Sequence, residues 1–420
     1  MDKRTIPFAL FLIALSALAW LLAFIPEWSG KTALERRMDE GATRFFKVQS
    51  IDTMKFSRDL AREKLNDPSF DAVIAAQMDL IKQSGATHVA IDTPYDEELY
   101  PMLARWVNAA RSRGLSIWFR GNFSGWEGWF GYAKMTPEEH KKKLADFLKN
   151  HQELFRDRDV FSPCPECENG GPGDPRSNGN KNAYNDFLAE EYRISEDAFH
   201  AAGKQVCIYT SMNADIARNV MTPLSIRNIG GMVLIDHYVK DPQALAKDVE
   251  DISDSLYGNV GIGEFGAPIP DIHGNMSESD QREFVRKALD ALAVSEKGPN
   301  VVNYWVLEGG TTALVNPSGT KRQAFDVLTA YYSPSVVTGT VTDDLNDGLG
   351  GATVAVAGSD IKTQTGADGS YRILVPKIYD TLTISKDTYN SASVRIASTT
   401  NAALAPAQPS FWHDLMKKIR

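Results

Sequence analysis

The sequence predicts an α/β chain in which a (β/α)8 (TIM) barrel follows a transmembrane anchor helix and precedes a small antiparallel β-sandwich. Short apolar runs alternate with amphipathic stretches from about residue 45 to 332, an uncharged apolar run stands near the N-terminus, and period-two patterning begins after Ser333. We therefore expect an anchor at 1–28, a barrel at 40–333, a sandwich at 334–397 and a tail with a short amphipathic helix at 398–420.

The N-terminal segment has the length and polarity of a membrane-spanning helix. Residues 6–26 carry no charge and are close in number to the ~20 that a helix needs to cross a bilayer. Lys3 and Arg4 precede the run, so the positive-inside rule puts the rest of the chain outside the cytoplasm. Residues 17–19 resemble a signal-peptide cleavage site, but the apolar run continues beyond them, which favours a retained anchor over a cleaved signal. The expected location is the cell membrane, with one pass and an extracytoplasmic barrel.

Eight apolar runs predict the strands of the barrel. Helix-like segments separate them, among them 68–85, 136–151 and 278–295, and Thr136 with Glu139 forms a capping box at a helix start. Eight such units in about 290 residues favour a closed barrel over a doubly wound open sheet, which is not expected to contain so many regular units. The predicted strands are 45–51, 88–92, 115–122, 160–164, 205–211, 231–238, 259–266 and 301–307.

Charge and cysteine content restrict the partners and cofactors. The net charge of −9 and the lack of a lysine- or arginine-rich tract argue against a nucleic-acid partner. Cys164, Cys167 and Cys207 are an odd number, so one bridge or three thiols remain. The Cys-x-x-Cys pattern is also compatible with a metal or redox site. A metal site would need a further pair of ligands beyond Cys207, and the sequence does not indicate one. We expect no metal and no cofactor.

Three glutamates stand at the carboxyl ends of predicted strands, where active sites of such barrels are assembled. Glu166 and Glu168 follow the fourth strand, and Glu264 ends the seventh. Two facing carboxyls, one neutral and one ionised, are the arrangement that splits a glycosidic bond. We prefer Glu166 as acid/base because it comes first after the strand, with Glu168 as second candidate. An extended chain would place both on the same side, and a retaining reaction predicts about 5–5.5 Å between the catalytic carboxyls.

Other polar and aromatic side chains at the same end are candidates for substrate binding. Arg120 is expected to stabilise the ionised nucleophile and Tyr238 to hydrogen-bond it. The glycine-punctuated loop 122–132 offers Trp126 and Trp129 as stacking platforms for sugar rings, in preference to rings packed between barrel and helices. The candidate substrate-binding residues are Arg120, Asn122, Trp126, Trp129, Tyr209, His237, Tyr238 and Trp305.

The stretch GIGEFGAP at 261–268 resembles the nucleophile motif of the clan A retaining glycoside hydrolases, particularly of family 5. The resemblance covers roughly 45–332 and implies that Glu264 is the nucleophile, that Trp305 floors the sugar site, and that the chain hydrolyses a β-linked poly- or oligosaccharide without a cofactor. In that clan an asparagine usually precedes the acid/base, whereas Pro165 precedes Glu166 here. This departure supports the alternative, a non-catalytic glycan- or cell-wall-binding surface protein on the same barrel.

The stretch from Gly339 to Pro376 resembles a carboxypeptidase regulatory-like (transthyretin-like) domain. It has the Gly-x-Val opening, a Gly-Ala-x-Val second strand and an Asp-Gly-x-Tyr turn. The resemblance implies a spacer or adhesion module.

Overall fold

A computed structural model describes residues 32–419 of the chain, and the predicted anchor at 1–28 lies outside the described residues. None of the helices between residues 32 and 419 has both the length and the hydropathy needed to span a bilayer.

All eight predicted strands of the barrel are present and pair in parallel. The fifth is interrupted at Tyr209, and its two pieces close the barrel, because β5 pairs with β4 while β6 pairs with β7. β1 lies between β2 and β9, as a closed barrel requires. The strands are β1 (Val48–Asp52), β2 (His88–Ile91), β3 (Ser116–Phe119), β4 (Val160–Phe161), β5 (Cys207–Ile208), β6 (Thr210–Asn213), β7 (Met232–Asp236), β8 (Asn259–Phe265) and β9 (Val301–Tyr304).

Helices follow the strands and cover the outside of the barrel. The predicted capping box is confirmed: the Thr136 hydroxyl accepts from the Glu139 amide, and the Glu139 carboxylate accepts from the Thr136 amide. The helices are α1 (Ala33–Asp39), α2 (Met54–Ser57), α3 (Phe70–Gln83), α4 (Tyr100–Arg111), α5 (Ser124–Glu127), α6 (Pro137–Asn150), α7 (Pro175–Asn178), α8 (Lys181–Ala201), α9 (Ala214–Asn219), α10 (Pro223–Asn228), α11 (Pro242–Leu256), α12 (Pro270–His273), α13 (Glu278–Val294), α14 (Gln323–Tyr332) and α15 (Phe411–Ile419).

The interior of the barrel is apolar near the amino-terminal ends of the strands and polar near their carboxyl ends. Six buried residues fill the apolar part: Val48, Ala90, Trp118, Val160, Leu234 and Val301. The strand ends beyond this layer carry buried ionisable groups, among them Asp52, Asp92, Asp236 and Glu264. The hydrophobic layer therefore supports the polar site from below.

The C-terminal region forms a mixed sheet in the order β13-β10-β16 and an antiparallel sheet in the order β12-β11-β14-β15. β16 lies beyond the predicted boundary at residue 397 and pairs in parallel with β10, so the domain extends further than the period-two pattern indicated. The Asp290 carboxylate on α13 accepts from Ser359 and Tyr379, which docks this domain against the barrel. The strands are β10 (Ser335–Asp343), β11 (Thr353–Val356), β12 (Lys362–Gln364), β13 (Ser370–Val375), β14 (Thr381–Ser385), β15 (Ala392–Arg395) and β16 (Ala402–Leu404).

Candidate active site

Arg120 stands at the centre of the carboxyl end of the barrel. Its guanidinium is buried and donates to four carboxylates at the carboxyl ends of four different strands, at 2.5 Å to Glu264, 2.7 Å to Asp236, 3.3 Å to Asp52 and 3.4 Å to Asp92. Burial acts to lower the pKa of Arg120, but the surrounding carboxylates, Asp236 foremost, raise it well above its ordinary value. One permanently charged group therefore organises four acidic ones.

Glu264, at the end of β8, has both carboxylate oxygens fixed. Oε1 accepts from Arg120, and Oε2 accepts from the Tyr238 hydroxyl at 2.7 Å. Both donors can stabilise a negative charge on this carboxyl, as a nucleophilic carboxylate requires. The positions of Arg120 and Tyr238 around Glu264 are those expected from the sequence.

Glu166 follows β4 in a turn rather than in an extended chain. Its φ is +46°, in the left-handed region that few residues other than glycine adopt. Its amide donates to the Ser211 carbonyl on β6 at 3.0 Å, and its carbonyl accepts from the Asn169 amide at 2.7 Å. The prediction that Glu166 and Glu168 share one side of an extended segment is wrong, because this turn changes the direction of the chain between them.

Glu168 is buried and fully bonded. One carboxylate oxygen accepts from the Asn213 amide and side chain at 2.7 and 2.9 Å, and the other accepts from the Tyr184 hydroxyl at 2.8 Å. Burial raises the pKa of Glu168, and these hydrogen bonds act against that rise. Both oxygens of the Glu168 carboxyl are therefore used in contacts with Asn213 and Tyr184. Glu166 is the glutamate after β4 that faces Glu264.

The carboxylates of Glu166, Asp236 and Glu264 lie close together. One carboxylate oxygen from each lies within 4.8 Å of the corresponding oxygens of the other two. Three such oxygens could also bind a divalent cation, but Asp236 and Glu264 already bond to the Arg120 guanidinium. This approach of one Glu166 oxygen to one Glu264 oxygen is compatible with the ~5–5.5 Å separation of the carboxyls in a retaining pair.

The two facing glutamates have unequal surroundings. Burial, followed by the negative charge of Glu264, raises the pKa of Glu166 to about 8, with Arg120 acting in the opposite direction. Glu264 instead receives two charge-stabilising hydrogen bonds. Burial also raises the pKa of Asp52 to about 6 and that of Asp92 and Asp236 well above the ordinary range. A proton on Glu166 at neutral pH is the arrangement that general-acid catalysis requires.

Glu127 is a further carboxyl of the site that was not predicted from the sequence. It lines a cleft above Arg120 together with Met54, Arg58, Asp92, Trp129, Pro165 and Glu166. Burial raises the pKa of Glu127 to about 8, and the charge of Arg58 acts against this rise. The only signal in the sequence was its place in a loop after β3. Asp52 is likewise outside the predicted set, although it ends β1 and therefore satisfies the same strand-end rule that located Glu264.

The aromatic loop 122–132 contains both buried and accessible rings. The expectation that Trp126 and Trp129 both serve as stacking platforms is therefore only partly met. Trp126 is 1 % exposed, stacks on Phe187 at 5.0 Å and donates from its indole nitrogen to the Cys167 carbonyl. It is therefore a packing residue and not a sugar platform. Trp129 is half-buried beside the cleft, with the Arg58 guanidinium 4.6 Å from its ring centroid.

Three other predicted substrate-binding residues make their side-chain contacts outside the cluster of Glu166, Asp236 and Glu264, although the Asn122 side-chain nitrogen donates to Glu127 at 3.4 Å. The Asn122 side chain is buried, and its amide oxygen is hydrogen-bonded to the His140 ring at 2.8 Å. The His237 ring bonds the Asp248 carboxylate at 2.7 Å. Tyr209 packs against the apolar layer inside the barrel. The strand positions were predicted correctly, but side-chain direction depends on contacts that the sequence does not reveal.

Trp305 borders the site as expected. It follows β9, is half-buried, and meets the Tyr238 ring edge-on with centroids 6.2 Å apart. The Lys55 ammonium lies 5.6 Å from its ring centroid. Trp305 and Trp129 are thus the aromatic rings of the predicted set that remain open to a ligand.

Comparison with known proteins identifies the C-terminal region. Residues 336–408 match the family model of the carboxypeptidase regulatory-like domain. The resemblance predicted for that region is confirmed. No curated protein sequence matches the chain.

Among solved structures, the chain is similar to a β-glucuronidase 2 of Bacteroides uniformis (11 % identity, 85 % of this chain and 46 % of that chain, TM-score 0.47). It is also similar to a family 5 xyloglucanase from Paenibacillus pabuli (14 %, 61 % and 89 %, 0.46) and to XacCel5A in complex with cellopentaose (9 %, 69 % and 100 %, 0.49). The chain spans about half the length of that glucuronidase. At these identities and TM-scores, the function of the barrel has to be inferred from its own site.

Proposed function

We propose that the chain is a retaining glycoside hydrolase that cleaves β-glycosidic bonds of a poly- or oligosaccharide. The observation that carries the proposal is the pair formed by Glu166 and Glu264. Their carboxylate oxygens approach within 4.8 Å, and their surroundings favour a proton on Glu166 and a charge on Glu264. A neutral acid opposite an ionised nucleophile at this separation supports a double displacement.

In the first step, Glu264 attacks the anomeric carbon while Glu166 protonates the departing glycosidic oxygen. The C–O bond to the leaving group breaks, and a covalent glycosyl ester forms on Glu264. Arg120 and Tyr238 hold the attacking carboxylate in place before reaction. In the second step, Glu166 takes a proton from water as that water attacks the ester, which releases the sugar with its original configuration and restores both carboxyls.

Release of reducing ends from defined polysaccharides tests this proposal. Mixed-linkage β-glucan, xyloglucan, β-mannan and carboxymethylcellulose are suitable first substrates. Glu264→Gln should abolish turnover, whereas Glu308→Gln should retain it, because the Glu308 carboxylate bonds to Gln77 and lies outside the cluster. Proton NMR of the first product should show the β anomer. An α anomer as first product would refute retention.

A non-catalytic glycan-binding protein is the competing function, and the position of Pro165 in place of an asparagine before Glu166 favours it. The same polysaccharides distinguish the two. Equal binding by wild type and Glu264→Gln, with turnover by neither, would establish the binding function and refute catalysis.

We also propose that residues 1–28 anchor the protein in the cell membrane with the barrel on the extracytoplasmic side. The apolar run 6–26 after Lys3 and Arg4 supports this location. The Cys164–Cys167 disulfide supports it too, because such bonds persist mainly in oxidising compartments. Protease added to intact cells should digest the barrel. A barrel that is protected until the membrane is opened would contradict this orientation.

A further inference from the structure

Glu166 lies inside a four-residue ring. A disulfide joins Cys164 to Cys167, with Cα atoms 5.2 Å apart, so only Pro165 and Glu166 stand between the bonded residues. Both cysteines are buried, at 1 % and 0 % exposure. The bond that the sequence left undecided is thus placed directly around the acid/base candidate.

The Glu166 carboxyl differs from the other two glutamates in how it is held. Glu264 accepts from Arg120 and Tyr238, and Glu168 accepts from Tyr184 and Asn213. Within residues 32–419, no hydrogen bond reaches the Glu166 carboxyl; only its main-chain amide and carbonyl are bonded. The location of this carboxyl is therefore set by its backbone.

The backbone at Glu166 has a conformation that needs support. Its φ of +46° is uncommon for a residue with a side chain and persists where the surroundings determine it. The two ends of the ring are themselves fixed, since the Trp126 indole donates to the Cys167 carbonyl at 2.9 Å and the Asn122 amide lies 3.7 Å from the Cys164 sulfur. Trp126 and Asn122, which do not face the cleft, thereby contribute to the site through this ring.

We propose that the Cys164–Cys167 disulfide is a positioning element that holds the Glu166 carboxyl opposite Glu264. Without the bond, the chain at Glu166 can leave the left-handed conformation, and the carboxyl can turn toward solvent. As a statement about catalysis, this inference rests on the proposed hydrolase function. As a statement about the position of Glu166, it can be tested whether or not the protein turns over a sugar.

Carboxyl titration by NMR tests the position directly. Protein labelled with 13C at the glutamate side-chain carboxyl is compared in two forms, Cys207→Ser and Cys164→Ser/Cys167→Ser/Cys207→Ser. Cys207 is exposed and unpaired, so its removal prevents mispairing and serves as the matched control. The resonance lost in Glu166→Gln assigns the signal. We expect a midpoint near pH 8 in the control, and a midpoint at least one pH unit lower, toward the ordinary ~4.3 of a solvated glutamate, in the triple variant. An unchanged midpoint overturns the proposal.

Kinetics on a polysaccharide that wild type hydrolyses provide the second readout. A general acid contributes about 10²–10⁴-fold, so the cysteine substitutions should lower kcat by about tenfold or more and leave KM within about threefold. The same substitutions should cause no further loss in a Glu166→Gln background, because residues that act as a unit are not additive. An equal loss in both backgrounds would show a general structural effect and overturn the positioning role. If wild type hydrolyses none of the polysaccharides, the proposed function fails while the titration still decides the position of Glu166.

Reduction of the folded Cys207→Ser protein covers the case in which the serine variant does not fold. A water-soluble phosphine converts the disulfide into two thiols and is itself oxidised to the phosphine oxide with oxygen from water. The same fall in the Glu166 midpoint is expected. Loss of the whole fold in both the variant and the reduced protein would overturn the proposal, because the bond would then be required for folding and not for Glu166 alone.

Discussion

Removal of the Glu264 charge should lower the pKa of Glu166. An oxygen of each carboxylate lies within 4.8 Å of the other, and at an effective dielectric constant of about 20 two like charges at that distance repel by about 3.5 kcal/mol. One pH unit corresponds to about 1.4 kcal/mol. Arg120 offsets part of the repulsion, and burial, the largest cause of the raised pKa, is retained in Glu264→Gln. We therefore expect the midpoint of Glu166 to fall from about 8 by about 1 to 2 pH units in this variant.

The assay is the 13C titration of the glutamate carboxyls, with the Glu166 signal assigned from Glu166→Gln. It needs no substrate, so a loss of turnover in Glu264→Gln does not interfere. Glu308→Gln is the matched control. The Glu308 carboxylate is hydrogen-bonded to Gln77, so its removal should leave the titration midpoint of Glu166 unchanged. A Glu166 midpoint that is the same in Glu264→Gln and wild type would refute the close electrostatic contact on which the acid/base assignment depends.

Three further predictions concern the same cluster. In wild type, kcat/KM should fall tenfold per pH unit above about pH 8 as Glu166 loses its proton, and this alkaline limb should be absent from the pH–rate profile of Glu166→Gln. Tyr238→Phe removes a hydrogen bond to the Glu264 carboxylate, which should cost about 1.5–3 kcal/mol of its stabilisation, or roughly 10- to 150-fold in kcat, with an unchanged circular dichroism spectrum; full activity in that variant would contradict the role of the contact. Glu127 binds a proton in the folded protein up to about pH 8 but only to about 4.3 when unfolded, so stability should fall as pH rises through that window. Glu127→Gln should therefore raise the unfolding temperature more at pH 8 than at pH 5, and an equal change at both would show that the carboxyl is not buried as described.

The parts of the site that could be predicted from the sequence are those fixed by strand geometry. Parallel strands present their carboxyl ends at one edge, so Glu264 and Arg120 were expected to meet there, and they do so at 2.5 Å. Tyr238 was located by the same reasoning two residues beyond β7. Eight apolar runs were enough to predict the barrel because each strand has to be buried on both faces.

The positions that could not be predicted lie where the chain has left the strand. Glu166 and Glu168 are two residues apart, so their side chains would point to the same side of an extended segment. The structure replaces that segment by a turn with a left-handed residue, and one glutamate faces the cleft while the other bonds to Tyr184. The disulfide across the turn joins residues only three positions apart, but its formation requires this turn geometry, which residue spacing alone does not determine.

The loop after β3 shows the same limit on a smaller scale. Trp126 and Glu127 are adjacent on α5, a helix of four residues, and successive helical side chains point about 100° apart. Trp126 is turned onto Phe187 and Glu127 toward the cleft. A helix this short has no hydrophobic period that would indicate its rotation, so the sequence does not show whether Trp126 or Glu127 faces the cleft. The packing partner, Phe187 on α8, decides the rotation. Its identity became apparent only when the barrel brought residues 61 positions apart into contact.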